Sequence, residues 1–252
     1  MADDGVILRA RGLVKEFRGF RAVDGVDLDV KRGHIHALIG PNGAGKTTCF
    51  NLLTKFLEPT AGTIHFNGRD ITRERPAQIA RRGVIRSFQI SAVFPHMSVL
   101  RNVRVALQRA LGTSMHFWRP TASLRRLDGR ARALLAEVGL EAFAQTLAMD
   151  LPYGRKRALE IATTLAMEPE LMLLDEPTAG MGSEDVARVT ALIRRVSAGR
   201  TVLMVEHNMS VVSGLCDRIT VLQRGSVLAE GRYAEVSADP RVAEAYIGSA
   251  AA

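Results

Sequence analysis

Apolar and polar positions alternate over Val26–Val30, where Val26, Leu28 and Val30 stand against Asp27 and Asp29. That two-residue period predicts a strand with one buried face. Val6–Phe17 and Ala22–Val30 are both predicted as strands, and Asn67-Gly68 after Thr63–Phe66 reads as a hairpin turn. The opening part is therefore predicted to be antiparallel β. His34–Ile39 reads as a strand that runs into a glycine-rich turn and then a helix over about Lys46–Phe56. Val99, Val103, Ala106 and Ala110 form a helical stripe in a segment starting at Ser98. Residues 111–127, with the sole tryptophan Trp118, read as irregular. Asp128 is the expected N-cap of a helix to Val138, with Gly139 just past its end.

The four-residue apolar run Leu171–Leu174 predicts a strand covered on both faces. Ser183 is the expected N-cap of a helix through about Ser197, with Val186, Val189, Ile193 and Val196 on one face. Thr201–Val205 and Arg218–Leu222 follow as strands, Arg224-Gly225 turns a hairpin, and Pro240 opens a closing helix. Strands alternating with helices imply a mainly parallel sheet. The mostly helical stretch over about 95–150 reads as a lobe inserted into an α/β body.

Composition narrows the picture without naming a function. The 252 residues are 47% apolar and 24% charged, enough apolar content to bury a core and too much for a disordered chain. Mean hydropathy is +0.05, and no uncharged apolar run approaches the ~18 residues of a spanning helix. The start, MADDGVILRARG, lacks the basic leader and apolar stretch of a signal peptide, so the chain is expected to stay where it is made. Cys49 and Cys216 are far apart with no CxxC pattern, and read as small buried residues of a reducing compartment. Lys plus Arg is 34 against 26 for Asp plus Glu, a net charge of +8. That invites a polyanion partner. However, the basic residues fall in short groups such as Arg155-Lys156-Arg157, which read first as solvated faces.

The chemistry is concentrated at residues 40–47, Gly-Pro-Asn-Gly-Ala-Gly-Lys-Thr. This is the full GxxxxGK[ST] pattern, with a predicted strand before it and a helix after it. Glycines let successive backbone N–H groups turn inward on phosphate oxygens, and the helix N-terminus adds a favourable dipole. Asn42, Gly43, Ala44, Gly45, Lys46, Thr47 and Thr48 are the expected phosphate-binding residues. Lys46 would bring charge to the β and γ phosphates, and the Thr47 hydroxyl would ligate Mg²⁺. The apolar strand at 171–174 ends in Asp175-Glu176. Asp175 is placed to hold magnesium, and Glu176 to orient and deprotonate an attacking water.

Further along, Gln89 ends Val84–Phe88, LPYGRKR occupies 151–157, LLDEPTAG occupies 173–180, and His207 follows a strand. In this order and spacing, over essentially the whole chain, the sequence resembles the ATP-binding subunit of ABC transporters. The fold implied is α/β: a P-loop, RecA-like core with an antiparallel β subdomain and an inserted helical subdomain. The whole chain, 1–252, would be one such ATPase domain, with core and β parts over about 1–90 and 165–252 and the helical part over about 91–164. The resemblance makes Phe17 the aromatic that stacks on adenine, with Phe20 a weaker rival. It makes Gln89 the glutamine that reaches Mg²⁺ or the water, and His207 the histidine that grips the γ-phosphate. LPYGRKR stands where the family usually reads LSGGQ. Gly154 and Tyr153 are carried over as contacts to a partner's nucleotide. Pro152 replaces the serine and has neither hydroxyl nor N–H, and Gly182 replaces the usual acid of the following loop.

Tyr-Gly in the signature, EPTAGM at 176–181, the 111–127 insertion and Glu-Ala-Tyr-Ile-Gly at 244–248 resemble the ATPases of bacterial branched-chain amino-acid importers. Importers of urea or short amides and the ATPase of lipopolysaccharide export share parts of the pattern. The resemblance implies ATP and Mg²⁺ as cofactors and a site completed by a second ATPase subunit, a copy or a paralogue. It also implies transmembrane permeases, indirectly a periplasmic substrate-binding protein, and a peripheral place on the cytoplasmic face of the inner membrane. Gln89 to Leu100, with Phe94, Met97 and Leu100 lining a groove, is the expected receiving surface for a permease helix. Two other classes fit the sequence less well. A nucleic-acid ATPase on the same core would carry long coiled coils or two ATPase halves, and neither is visible, so no nucleic-acid partner is expected. A phosphotransferase would leave LPYG, His207 and the Asp175-Glu176 pair without a role.

Overall fold

The structure is a computed structural model, and it describes residues 5–87, 93–109 and 121–249. In chain order the first elements are β1 (Val6–Phe17), β2 (Phe20–Lys31), β3 (Ile35–Ile39), α1 (Lys46–Leu53), β4 (Ala61–Phe66), β5 (Arg69–Asp70), α2 (Pro76–Arg81) and β6 (Val84–Ser87). The helices α3 (Val99–Leu107), α4 (Asp128–Glu137) and α5 (Tyr153–Leu165) follow. The remaining elements are β7 (Leu171–Asp175), α6 (Ser183–Val196), β8 (Thr201–Val205), α7 (Met209–Leu215), β9 (Arg218–Gln223), β10 (Ser226–Gly231), α8 (Tyr233–Ser237) and α9 (Pro240–Ser249).

The chain divides into two compact units, one of Met1–Val84, Glu170–Pro177 and Gly199–Ala252, the other of Ile85–Pro169 and Thr178–Ala198. The first unit holds two sheets. One is antiparallel, in the order β2-β1-β4-β5. Its alternation is the one the sequence predicts: Val26, Leu28 and Val30 are all buried, while Asp27 is exposed. The other sheet runs β10-β9-β3-β8-β7, and the outer strand β6 contributes Val84 to this unit. β3, β8 and β7 are parallel neighbours. Every residue of these three strands is buried, which is why they show none of the polar–apolar alternation of a half-exposed strand; the one polar residue inside β3, His36, is bonded to Thr220.

The second unit is helical. α3 buries Val99, Leu100, Val103 and Leu107, and α5 buries Leu159, Ile161 and Leu165. Ser98 caps α3 by accepting the Arg101 N–H at 3.3 Å. Two expected caps are corrected. Asp128 is not the N-cap of α4, because the 3₁₀ turn Thr121–Leu127 runs directly into that helix and Leu127 takes the cap position. Asp128 sits in the first turn, where its carboxylate accepts from Arg104 at 2.6 Å. For α6 the cap is Gly182, in extended conformation, and Ser183 is the first helical residue. The helix after the glycine-rich turn also ends at Leu53, before the expected Phe56. There the Thr54 hydroxyl donates to the Phe50 carbonyl at 2.9 Å, closing the last turn. The irregular segment expected at 111–127 is described only from 121.

Candidate functional site

Three adjacent parallel strands deliver the predicted site at their C-terminal ends. β3 runs into the glycine-rich turn, β7 ends at Asp175, and β8 ends at Val205 just before His207. In α/β sheets the crevice beyond the strand ends is where ligands bind. Asp175 lies opposite Val205 in register, so Glu176 and Glu206 leave neighbouring strands side by side.

The glycine-rich turn is held by backbone contacts. Gly45 has φ +96°, and a Cβ there would fall 2.4 Å from the Ala22 carbonyl oxygen of β2. At Gly40 a Cβ would fall 2.2 Å from the Leu222 carbonyl oxygen. The Gly225 N–H donates to the Ala44 carbonyl at 3.0 Å, so the β9–β10 hairpin turn props the loop from the other side. Ala44 is buried, whereas Asn42 and Gly43 are exposed. The N–H groups of Lys46, Thr47 and Thr48 open α1 with no intrahelical acceptor. Thr47 is exposed and Thr48 half-buried. The Lys46 ammonium turns back on the loop and donates to the Gly40 and Pro41 carbonyls at 2.7 and 2.9 Å. Burial pulls its pKa down from the usual lysine value, and the Glu176 carboxylate works against that fall. These hydrogen bonds hold the charge at the loop that would receive phosphate.

At the neighbouring strand ends, Asp175 is buried. Glu176 adopts φ +43°, a left-handed conformation that a non-glycine residue adopts only at a cost of about 1–3 kcal/mol. Its N–H donates to the Val205 carbonyl at 2.9 Å, and the side chain is 37% exposed. His207 Nδ1 lies 4.0 Å from Glu176 Oε1. It lies at the same distance from Glu206 Oε2. Glu206 is completely buried and accepts the N–H groups of His207 and Asn208 at 2.8 and 3.0 Å. Glu206 is a neighbour of the site that no motif in the sequence marks. Its one signal was an acid at the end of an apolar strand, directly before the singled-out histidine.

Phe17 ends β1 opposite Phe20 of β2. It is 43% exposed, so it is not a core residue, and the Lys15 ammonium lies 5.2 Å from its ring centroid. Phe20 is 67% exposed. Gln89 lies outside the described residues.

Tyr153 and Gly154 open α5 in the helical unit, behind the cap residue Pro152. The Tyr153 hydroxyl donates to the Ala179 carbonyl at 3.1 Å. Gly154 has ordinary helical backbone, but a Cβ there would fall 2.6 Å from Asp185 Oδ1. Its smallness therefore has a reason inside this unit. Of the apolar residues expected on the receiving surface, Phe94 and Met97 are exposed, whereas Leu100 is corrected: it is 3% exposed and faces the helical core. Cys216 is half-buried rather than buried, and Cys49 is fully buried. Burial pushes both thiols up to about 12. Among the other histidines, His36 is buried on β3, bonded to Thr220 Oγ1 at 2.8 Å, and burial lowers its pKa to about 3.

Residues 5–84, 170–177 and 199–249 thus build a P-loop nucleoside-triphosphate site on a parallel α/β sheet. The ABC transporter family model matches residues 23–179, and one for the branched-chain amino acid ATP-binding cassette transporter matches residues 226–252. The chain is 40% identical to the high-affinity branched-chain amino acid transport ATP-binding protein LivG of Salmonella typhimurium, over 97% of this chain and 98% of that protein. It is 39% identical to BraF of Pseudomonas aeruginosa, described in the same words, with the same coverage. An ATP-binding cassette of an ABC transporter in its ADP conformation superposes with a TM-score of 0.83 at 29% identity, covering 96% of this chain and 99% of that one. The chain belongs to the ABC transporter family, as an ATP-binding cassette.

Proposed function

We propose that the chain is the ATP-hydrolysing subunit of an importer that carries amino acids, branched-chain ones first, across the bacterial inner membrane. The reading is carried by one observation: the P-loop, Asp175-Glu176 and His207 meet at the ends of three adjacent strands. The C-terminal match over 226–252 and the likeness to LivG and BraF support the amino-acid branch.

In this reading Phe17 stacks on adenine. The N–H groups from Asn42 to Thr48 cradle the phosphates. On nucleotide binding, Lys46 exchanges the Gly40 and Pro41 carbonyls for phosphate oxygens. Glu176 takes the proton of the attacking water, and His207, beside it, orients the γ-phosphate. The hard oxygens of Thr47 and Asp175, with Gln89, fit Mg²⁺, an ion that one or two protein oxygens and substrate phosphates commonly hold. When bound it supplies neutralisation of developing phosphate charge.

A second ATPase subunit, identical or paralogous, completes the site by presenting Tyr153 and Gly154 to this chain's nucleotide. Closing and opening of the pair drives permeases and, through them, release from a periplasmic receptor. Attachment to the inner membrane's cytoplasmic face runs through the permeases in this reading; no described helix is long and apolar enough to cross a membrane. The test is reconstitution of the ATPase pair with the permeases in vesicles loaded with ATP, with the periplasmic receptor and leucine supplied outside. Leucine uptake with matched phosphate release is expected, and release without any amino-acid uptake would refute the importer reading.

A further inference from the structure

We propose that Glu206 is a positioning residue for His207: it fixes the start of the turn that carries the imidazole and aims the ring between two carboxylates. The inference rests on the role given to His207 above and assigns Glu206 no contact with nucleotide.

A side chain with 0% exposure is a poor place for a carboxylate unless donors surround it. Two such donors are the backbone N–H groups of His207 and Asn208, both on Oε2, at 2.8 and 3.0 Å. Hydrogen bonds to an ionised acceptor are roughly twice as strong as neutral ones. They pin the backbone just where the chain leaves β8 and turns into α7, whose cap is the Asn208 side chain accepting the Ser210 N–H at 3.1 Å. His207 therefore has a fixed backbone and a 59% exposed side chain. Its Nδ1 sits 4.0 Å from Oε2 of Glu206 and 4.0 Å from Oε1 of Glu176. That symmetry follows from strand register. Asp175 pairs with Val205, so the two glutamates emerge together, and the left-handed turn at Glu176 brings its carboxylate to the imidazole. Glu206 thus does two things a neutral residue could not combine. It anchors two N–H groups, and it offers the ring a second, immobile negative neighbour that holds it beside Glu176 without being consumed in turnover.

The test is a double-mutant cycle with His207. Glu206→Gln keeps an acceptor oxygen for the two N–H groups and removes the charge. Alone, it is expected to lower kcat about five- to tenfold with KM for ATP nearly unchanged, the pattern of an interaction that matters in the transition state. In a His207→Ala background the same substitution should change kcat less than about twofold. Should Glu206→Gln fold poorly, Glu206→Asp enters the same cycle, because it keeps the charge and displaces it. An equal fold-loss with and without His207 would mean that Glu206 is merely structural, and would overturn the inference. So would wild-type kcat in Glu206→Gln. Wild-type turnover in His207→Ala itself would remove the histidine from the mechanism and the inference with it. A normal loss there leaves the cycle to decide about Glu206 alone.

Discussion

The P-loop and the LPYG segment are both glycine-bearing starts of helices, yet they are built on different physics. In the P-loop the glycines are demanded by backbone. Gly45 has φ +96°, and a side chain there would meet the Ala22 carbonyl. In LPYG, Gly154 is ordinary helix, and what a side chain would meet is the Asp185 carboxylate. Backbone cannot give way without shifting β2, whereas the end of an aspartate can rotate. The P-loop is therefore rigidly specified from within the chain. The LPYG end is tolerant, in keeping with a segment that carries Pro152 and Tyr153 where the family usually reads serine and glycine.

Substitutions can break or sharpen that contrast. Lys46→Ala should have the largest effect, because it removes a charged donor from the cradle. The expected loss of ATP affinity is about ten- to a hundredfold, from about 1.5–3 kcal/mol for a hydrogen bond to a charged group. Calorimetry giving unchanged affinity would take the loop out of nucleotide binding. Gly45→Ala should come next, since steric conflict with the Ala22 carbonyl and the positive φ add together. About 2 kcal/mol or more of stability should go, with ATP affinity falling as well, read by thermal melts and the same titration. A variant melting like wild type would show the loop to be softer than its contacts imply.

Acid should also act on the P-loop side. His36, on the strand that delivers the loop, titrates at about 3 when folded because it is buried, and near 6.5 when unfolded. The unfolded chain therefore binds the extra proton between those values. Stability is fully present above about 6.5 and falls as pH drops, by at most about 1.4 kcal/mol per pH unit from this group. Melting temperatures flat between pH 7 and 5 would contradict the assignment, and His36→Gln should weaken the dependence. The smallest effect is expected at the tolerant end. Gly154→Ala should cost about 1 kcal/mol or less, and the further change Asp185→Ala should recover it. Loss of folding in Gly154→Ala, unrelieved by Asp185→Ala, would erase the contrast between the two glycines.

Much of this architecture is legible in the chain itself. β7 and β8 announce themselves as apolar stretches because both their faces are covered, and the turn over residues 40–47 by its glycine and lysine spacing. What escapes the sequence acts through backbone or neighbours. Ala22 and Gly225 brace the loop with peptide groups, which leave no side-chain signal. Glu206 reads as one polar residue at a strand end until the register of β7 and β8 sets it beside Glu176. Asp128 and Ser183 have good capping side chains, but the preceding 3₁₀ turn and the extended Gly182 take the cap positions from them. Leu100 belongs to an apolar stretch in which Phe94 and Met97 are exposed. Only the rotation of α3 decides that it points inward.

The central claim is that the strand-end constellation both holds ATP and splits it through Glu176. Glu176→Gln separates the two acts in one preparation, by titration of ATP binding alongside phosphate release. Retained ATP affinity with turnover reduced about a hundredfold or more is expected, in line with loss of a general base. Phosphate release at the wild-type rate would contradict the claim.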